Sequence, residues 1–227
     1  MKFVCGPEWD ERICSINPKP TIGVLVSSGV DSTTLLKLIY DNFKYRTRIR
    51  LFNVQTSEDP QKPLIDKILR ELEIDIPLEI VGESRWNWPM SAHYPRLCLA
   101  FQEIRDHTDC DELYCGNILP PHPQWFPRFD PKQKGIAKRP WLTNDSFLKN
   151  PFEHLEKYHV LDLGRRAQFD FIYNHTISCN ISADTPCGDC MGCRELEWGL
   201  YQLDQESGVT LDEMTADAVN KYGAIGW

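Results

Sequence analysis

The stretch that most narrows what this chain can fold into is Thr21-Ile-Gly-Val-Leu-Val-Ser-Ser-Gly-Val-Asp-Ser-Thr33. Its apolar start, bounded by Pro20, reads as a buried strand of a parallel sheet. The run breaks at Ser27-Ser28-Gly29 and resumes over Asp31–Tyr40 with apolar residues at helical spacing. A tight turn of small residues between a strand end and a helix start gathers unpaired amide groups and the positive end of a helix dipole, so it suits an anion. Gly29 lets a ligand approach the main chain, and Ser27, Ser28, Ser32 and Thr33 add hydroxyl donors. The same turn, taken alone, is equally accounted for by a helix N-capped by Ser or Asp.

The chain on either side repeats the alternation. Arg48–Val54 reads as a second strand, and Pro63 opens a helix with Leu64, Ile65, Ile68, Leu69 and Leu72 on its buried face. Ile76–Val81 reads as a third strand, Arg96–His107 as a helix and Glu112–Gly116 as a fourth strand. Strand, helix, strand in this order implies an α/β fold with a doubly wound, mostly parallel sheet. Ligands of such sheets sit at the carboxyl ends of the strands, where Ser27–Asp31 falls. At 227 residues the chain suits one α/β domain, residues 1–165, followed by a small helical zinc-binding region, 166–227.

Residues 1–20 read as an irregular or short-strand lead-in, with Cys5 and Cys14 as ordinary small apolar side chains. Gly82–Pro95 reads as a loop holding Trp86, Trp88, His93 and Tyr94. From 118 to 150 the prolines rule out a long helix, and a loop of that length is usually functional or mobile. Trp125, Phe126 and Phe129 either stack on a planar ligand or pin the loop. Phe152–Tyr158 and Gly164–Tyr173 read as helices.

With 25 basic and 33 acidic residues the formal charge is −8, which argues against non-specific nucleic-acid binding. The sequence has neither an apolar run of membrane-spanning length nor a signal-peptide core at its start, so the expectation is a soluble, cytoplasmic protein with no membrane partner. Nine cysteines, an odd number, point to reduced thiols and metal rather than disulfides. Cys179, Cys187, Cys190 and Cys193 carry that reading. Their two-residue gaps let successive sulfurs converge on one ion, and four thiolates suit a closed tetrahedral zinc site. An iron–sulfur cluster is the rival; the first spacing, seven residues, is unlike ferredoxin runs and favours one structural zinc per chain.

Two resemblances follow from these residues. Ser27-x-Gly29-x-Asp31-Ser32 after a strand resembles the pyrophosphate loop of the PP-loop ATP pyrophosphatase superfamily, usually Ser-Gly-Gly-x-Asp-Ser. Ser28 replaces a glycine there, which a serine tolerates if its φ stays negative. The segment Asn174–Arg194, with Thr176-x-Ser178-Cys179 and Cys187-Gly-x-Cys190-x-x-Cys193, is similar to the C-terminal signature of the 7-cyano-7-deazaguanine synthase (QueC) family. Pro151–Lys157, the Leu163-Gly164 turn and Tyr94-Pro95-Arg96 resemble the same family's run.

The resemblance implies an ATP-dependent ligase that joins 7-carboxy-7-deazaguanine and ammonia through an amide to give a nitrile, with magnesium accompanying ATP. It implies Val26, Ser27, Ser28, Gly29, Val30, Asp31, Ser32 and Thr33 as the phosphate loop, and backbone near Phe52, Asn53 and Val54 as the adenine edge. Asp31, Ser32 and Lys157 become the catalytic candidates; Arg96 becomes the candidate for the substrate carboxylate, or else a surface residue of the first helical turn. Lys157 is read either as a stabiliser of phosphate charge or as a solvated helix-end lysine. The family tends to form homodimers, and a homodimer is expected. Gly116–Arg128 departs from the family in lacking its acidic substrate segment, so adenylation is better supported than the identity of what is adenylated. The alternatives are a relative that stops at the amide or takes another carboxylate, a tRNA sulfurtransferase using Cys98, Cys110 or Cys115, and a non-catalytic nucleotide-binding protein. The loop and the cysteines are expected to act as separate modules.

Overall fold

The computed structural model describes residues 1–54, 61–81, 93–119, 146–169, 176, 179, 186–188, 190–210 and 212–214, with only the backbone for 93–99 and 191. The loop aromatics named above at 86, 88, 125, 126 and 129 lie outside these residues, as does the side chain of Arg96.

Two sheets form. A small antiparallel pair joins β1 (Lys2–Cys5) and β2 (Arg12–Ser15). The main sheet holds β3 (Thr21–Leu25), β4 (Arg48–Val54), β5 (Leu78–Val81), β6 (Glu112–Tyr114) and β7 (Leu148–Lys149), in the spatial order β5-β4-β3-β6-β7. Every pairing in it is parallel. The helices are α1 (Val30–Phe43), α2 (Lys62–Glu71), α3 (His93–His107), α4 (Lys157–Arg166) and α5 (Met191–Gln202). Among the described residues no helix is long and apolar enough to cross a membrane.

Alternation along the strands builds two cores. Ile22, Val24, Ile49, Leu51 and Tyr114 pack on one face with α1, α2 and α4; Phe52, Leu113 and Cys115 pack on the other with Ala100, Phe101 and Ile104 of α3. This is the double winding the sequence implies. Gly23 makes the second core possible, since a Cβ there would stand 2.8 Å from Leu113 Cδ1 and 2.9 Å from Phe52 Cε2. The chain runs outward from β3 to β4 and β5, then returns to β6 on the other side of β3. The carboxyl ends of β3 and β6 therefore flank the crevice where the winding reverses, the usual ligand position in such sheets.

Several boundaries differ from the sequence reading. α3 begins at His93, three residues before the expected start. Residues 151–154 form a turn rather than a helix. Phe152 and Leu155, whose spacing mimics a helical stripe, are both fully buried, and the Leu155 N–H donates to the Phe152 carbonyl at 2.9 Å. α4 starts only after Glu156, which caps it reciprocally with His159: the Glu156 side chain accepts from the His159 N–H, and His159 Nδ1 accepts from the Glu156 N–H at 3.1 Å. The helix ends at Arg166, because Gln168 takes a left-handed φ of 59° that no helix continues through. Glu112–Gly116 shortens to three residues of strand, and β7 was not anticipated at all.

The small sheet is fastened to α4. Cys5 and Cys14 are fully buried, and burial pushes both thiols up to about 12, as befits inert core side chains. Tyr158 donates to Asp10 Oδ2 at 2.6 Å, the Gly6 N–H donates to Asp162 Oδ2 at 2.8 Å, and His159 Nε2 lies 2.9 Å from the Asp10 carbonyl. With Nδ1 accepting, the network assigns His159 as neutral with its proton on Nε2. Its ring is fully buried, and burial, aided by the nearby Arg12 charge, pushes its pKa down to about 4. A folded pKa below the unfolded value of about 6.5 gives stability that is complete above that value and erodes as pH falls towards 4. We expect urea unfolding to show the wild-type chain losing roughly 2 kcal/mol more than His159→Gln between pH 7.5 and pH 4.5; equal losses would remove His159 from the acid response.

Candidate functional site

A cavity of about 340 Å³ opens at the winding reversal, lined by Val26, Ser27, Gly29, Asp31, Ser32, Asn53, Val54, Gln61, Phe101, Cys115, Gly116 and Asn117 among others. Its floor is the turn from β3 to α1. Gly29 is the N-cap of α1 in extended conformation, so Val30, Asp31 and Ser32 supply the first three helical amides, which have no carbonyl of their own helix to bond. The hydroxyls fold inward. The Ser27 N–H donates to Ser32 Oγ at 3.0 Å, the two seryl oxygens lie 2.9 Å apart, and the Gly29 N–H donates to Ser27 Oγ at 3.2 Å. Thr33 Oγ1 donates to the Gly29 carbonyl at 2.8 Å. Ser28 is buried, keeps a negative φ, and directs its N–H at Gln61 Oε1, 3.4 Å away at the N-cap of α2. A serine is therefore accommodated where a glycine is usual.

The turn is clamped from both sides. Gly116, just past β6, lies so close that a Cβ would stand 2.9 Å from the Asp31 carbonyl oxygen and 3.2 Å from Ser32 Cα. From β4, the Asn53 amide donates to the Val26 carbonyl at 2.8 Å; its Oδ1 is buried without a partner among the described residues. Asn53 and Val54 line the cavity, whereas the Phe52 ring is in the second core and its carbonyl accepts from the Val26 N–H.

Lys157, the first residue of α4, settles one alternative. Its side chain is 2% exposed, so it is not a solvated helix-end lysine. Nζ donates to both Asp31 carboxylate oxygens, at 2.7 and 2.6 Å, and lies 3.4 Å from Glu195 Oε2 on α5. Burial opposes the charge, but the two carboxylates outweigh it and hold the ammonium above its ordinary pKa. Lys157 is thus behind Asp31, not in the cavity lining.

The four cysteines come together. Cys190 Sγ is 3.8 Å from Cys179 Sγ and 3.6 Å from Cys193 Sγ, Cys187 Sγ is 4.0 Å from Cys193 Sγ, and all four sulfurs lie within 4.8 Å of one another. A single tetrahedral ion with bonds of ~2.3 Å places its sulfurs about 3.8 Å apart, so the set fits a metal ion. Gly188 turns the knuckle at φ +77°, and the Cys190 N–H points at Cys187 Sγ at 3.3 Å. Cys190 then caps α5, whose first turn contributes Cys193. Desolvation, with the adjoining sulfurs, pushes the Cys193 thiol up to about 12; a bound cation reverses that preference and makes it a thiolate.

Sequence reasoning did not identify Gln61, Phe101, Asn117 or Glu195. Gln61 had a usable signal, one residue ahead of a helix start, but Glu195 had none, because its partner is on a different helix.

No protein-family model matches the chain, and no curated protein matches it. Among solved structures it is similar to the U34-tRNA thiolase NcsA from Methanococcus maripaludis with its [4Fe-4S] cluster, at 15% identity and a TM-score of 0.47, over 91% of this chain and 68% of that one. A likeness of that degree assigns neither a family nor a chemistry.

Proposed function

We propose that this chain is an adenylating enzyme of the PP-loop type, which binds ATP at the β3–α1 turn and transfers AMP to a carboxylate oxygen. The observation that carries the reading is the turn itself: three orphan helical amides, two hydroxyls and a carboxylate gathered at the mouth of β3, in a cavity of small-molecule size. Pyrophosphate leaving from ATP would meet the amides of Val30, Asp31 and Ser32 once the Ser27 and Ser32 hydroxyls turn outward, and these fixed donors disperse its charge. Asp31 would orient the magnesium that accompanies ATP, with Lys157 holding its carboxylate from behind. Asn53 and Val54, which line the cavity, would meet the base.

The substrate reading follows the sequence signature. 7-Carboxy-7-deazaguanine would accept AMP on its carboxylate; ammonia would displace AMP to give the amide. A second ATP would adenylate the amide oxygen, and elimination of AMP would leave the nitrile. Arg96 is the candidate for the carboxylate. The four cysteines would hold zinc, which cross-links the C-terminal region and leaves no open position for chemistry. The sulfur spacing supports a single ion, since a four-iron cube holds its cysteine sulfurs roughly 6 Å apart at its outer corners.

Incubated with ATP, ammonium and 7-carboxy-7-deazaguanine, the protein is expected to yield AMP, pyrophosphate and a nitrile by mass spectrometry. Amide alone would revise the product. No AMP with any carboxylated deazapurine would end the ligase reading. A sulfur-transfer reading has one observation in its favour, Cys115 in the wall of the same cavity. AMP formation that requires tRNA, with no response to carboxylated deazapurines, would select it.

A further inference from the structure

One buried cation stands between the β3–α1 turn and the helix that leads out of the four-cysteine cluster. Lys157 Nζ grips Asp31 through both oxygens at 2.6 and 2.7 Å, and Glu195 Oε2 stands 3.4 Å from the same nitrogen. Asp31 lies in the first turn of α1 and lines the cavity. Glu195 lies on α5, two residues past Cys193 and one turn past the Cys190 cap. Glu195 and Gly199 are four residues apart, hence on one face of α5, and both meet Lys157. A Cβ at Gly199 would come within 2.7 Å of Lys157 Cγ, so the helix backbone rests on the lysine's stem while Glu195 engages its head. The placement of α5 is thereby transmitted along the whole side chain. One ammonium serves two carboxylates, and a ligand that engages Asp31 changes what is left for Glu195.

We propose that Glu195 is a positioning residue that couples occupancy of the four-cysteine centre to the affinity of the nucleotide turn, through the buried ammonium of Lys157. An ion that draws Cys190 and Cys193 together fixes the first turn of α5 and, with it, Glu195. Glu195 then sets where Lys157 holds Asp31. Coupling of this kind is reciprocal: the factor by which metal tightens nucleotide is the factor by which nucleotide tightens metal. The inference rests on the reading that the turn binds a nucleoside triphosphate.

The test uses the full chain, with zinc followed by competition against a chromophoric chelator and magnesium α,β-methylene-ATP followed by calorimetry. Zinc-loaded wild-type protein is expected to bind the nucleotide about tenfold more tightly than the stripped protein, and saturating nucleotide to tighten zinc by the same factor. In Glu195→Gln both ligands should still bind while the factor falls close to one, and Glu195→Asp should restore much of it. An unchanged factor in Glu195→Gln, or equal nucleotide affinity in both metal states of the wild type, overturns the coupling while leaving the nucleotide reading intact. No nucleotide binding by the zinc-loaded wild type overturns that reading and the coupling with it. If stripping unfolds the chain, the comparison moves to loaded proteins: several-fold weaker nucleotide binding in Glu195→Gln and several-fold weaker zinc binding in Asp31→Asn support the proposal, and unchanged values overturn it.

Discussion

Lys157→Met should cost about 3 kcal/mol in urea unfolding and abolish AMP formation. Methionine keeps the stem that packs against Gly199 but removes the charge, leaving Asp31 and Glu195 as two carboxylates without the cation between them. Removing one partner of a buried ion pair typically costs ~3–5 kcal/mol, and the Asp31 and Glu195 side chains, at 24% and 15% exposed, keep some water and pull the figure to the low end. The penalty arises from stranded charge rather than from lost shape. Adding Glu195→Gln to Lys157→Met should therefore recover part of the stability, although each exchange alone destabilises, with Asp31 accounting for the remainder. A single variant as stable as the wild type would mean that the ammonium contributes nothing net to folding.

The second large effect is expected at the cysteines. Cys193→Ser should lower the metal content of purified protein from about one ion per chain to near none after dialysis against a chelator. A serine hydroxyl stays protonated at neutral pH and cannot replace a thiolate in a tetrahedral set. A site held a thousandfold above its dissociation constant contributes about 4 kcal/mol, and its loss from a chain of this size corresponds to roughly 10 °C in melting temperature. Cys14→Ser is the informative control. Cys14 is buried too but belongs to the small N-terminal sheet, so its exchange should destabilise with no change in metal content. Metal loss in Cys14→Ser, or full retention in Cys193→Ser, would contradict the four-cysteine assignment.

What the sequence made legible, and what it did not, divides by range. Arg48–Val54 was readable to the residue, because Ile49, Leu51, Phe52 and Val54 supply a short apolar run for a strand flanked on both sides in the sheet, while Arg48 and Arg50 stay near solvent at its start. The β3–α1 turn was readable because its small residues have a local reason to be there. Phe152 and Leu155 misled, since a buried turn and a helix can present the same apolar interval. The true start of α4 uses Glu156 and His159 as its capping pair, a variant of the usual Ser/Thr and Glu/Gln combination that carries little signal. Lys157 was the least legible residue of all. Its burial depends on Asp31, 126 positions away, and on a helix beyond the cysteine knuckle, so no local pattern distinguishes it from a solvated lysine.

The close approach of Gly116 to Asp31 has a mechanical consequence. With 2.9 Å between a would-be Cβ and a main-chain oxygen, the segment leaving β6 and the first turn of α1 touch backbone to backbone. Immediately beyond, the Asn117 N–H donates to Asn150 Oδ1 at 3.1 Å and the Leu119 N–H to the Leu155 carbonyl at 2.8 Å, at the threshold of α4. Pressure on the start of α1 has no soft side chain in which to dissipate. A push there would pass through the Asn150 amide and the Leu119 main chain to the foot of the helix that carries Lys157, so a ligand in the cavity would reach that lysine by two routes, one electrical and one by displacement.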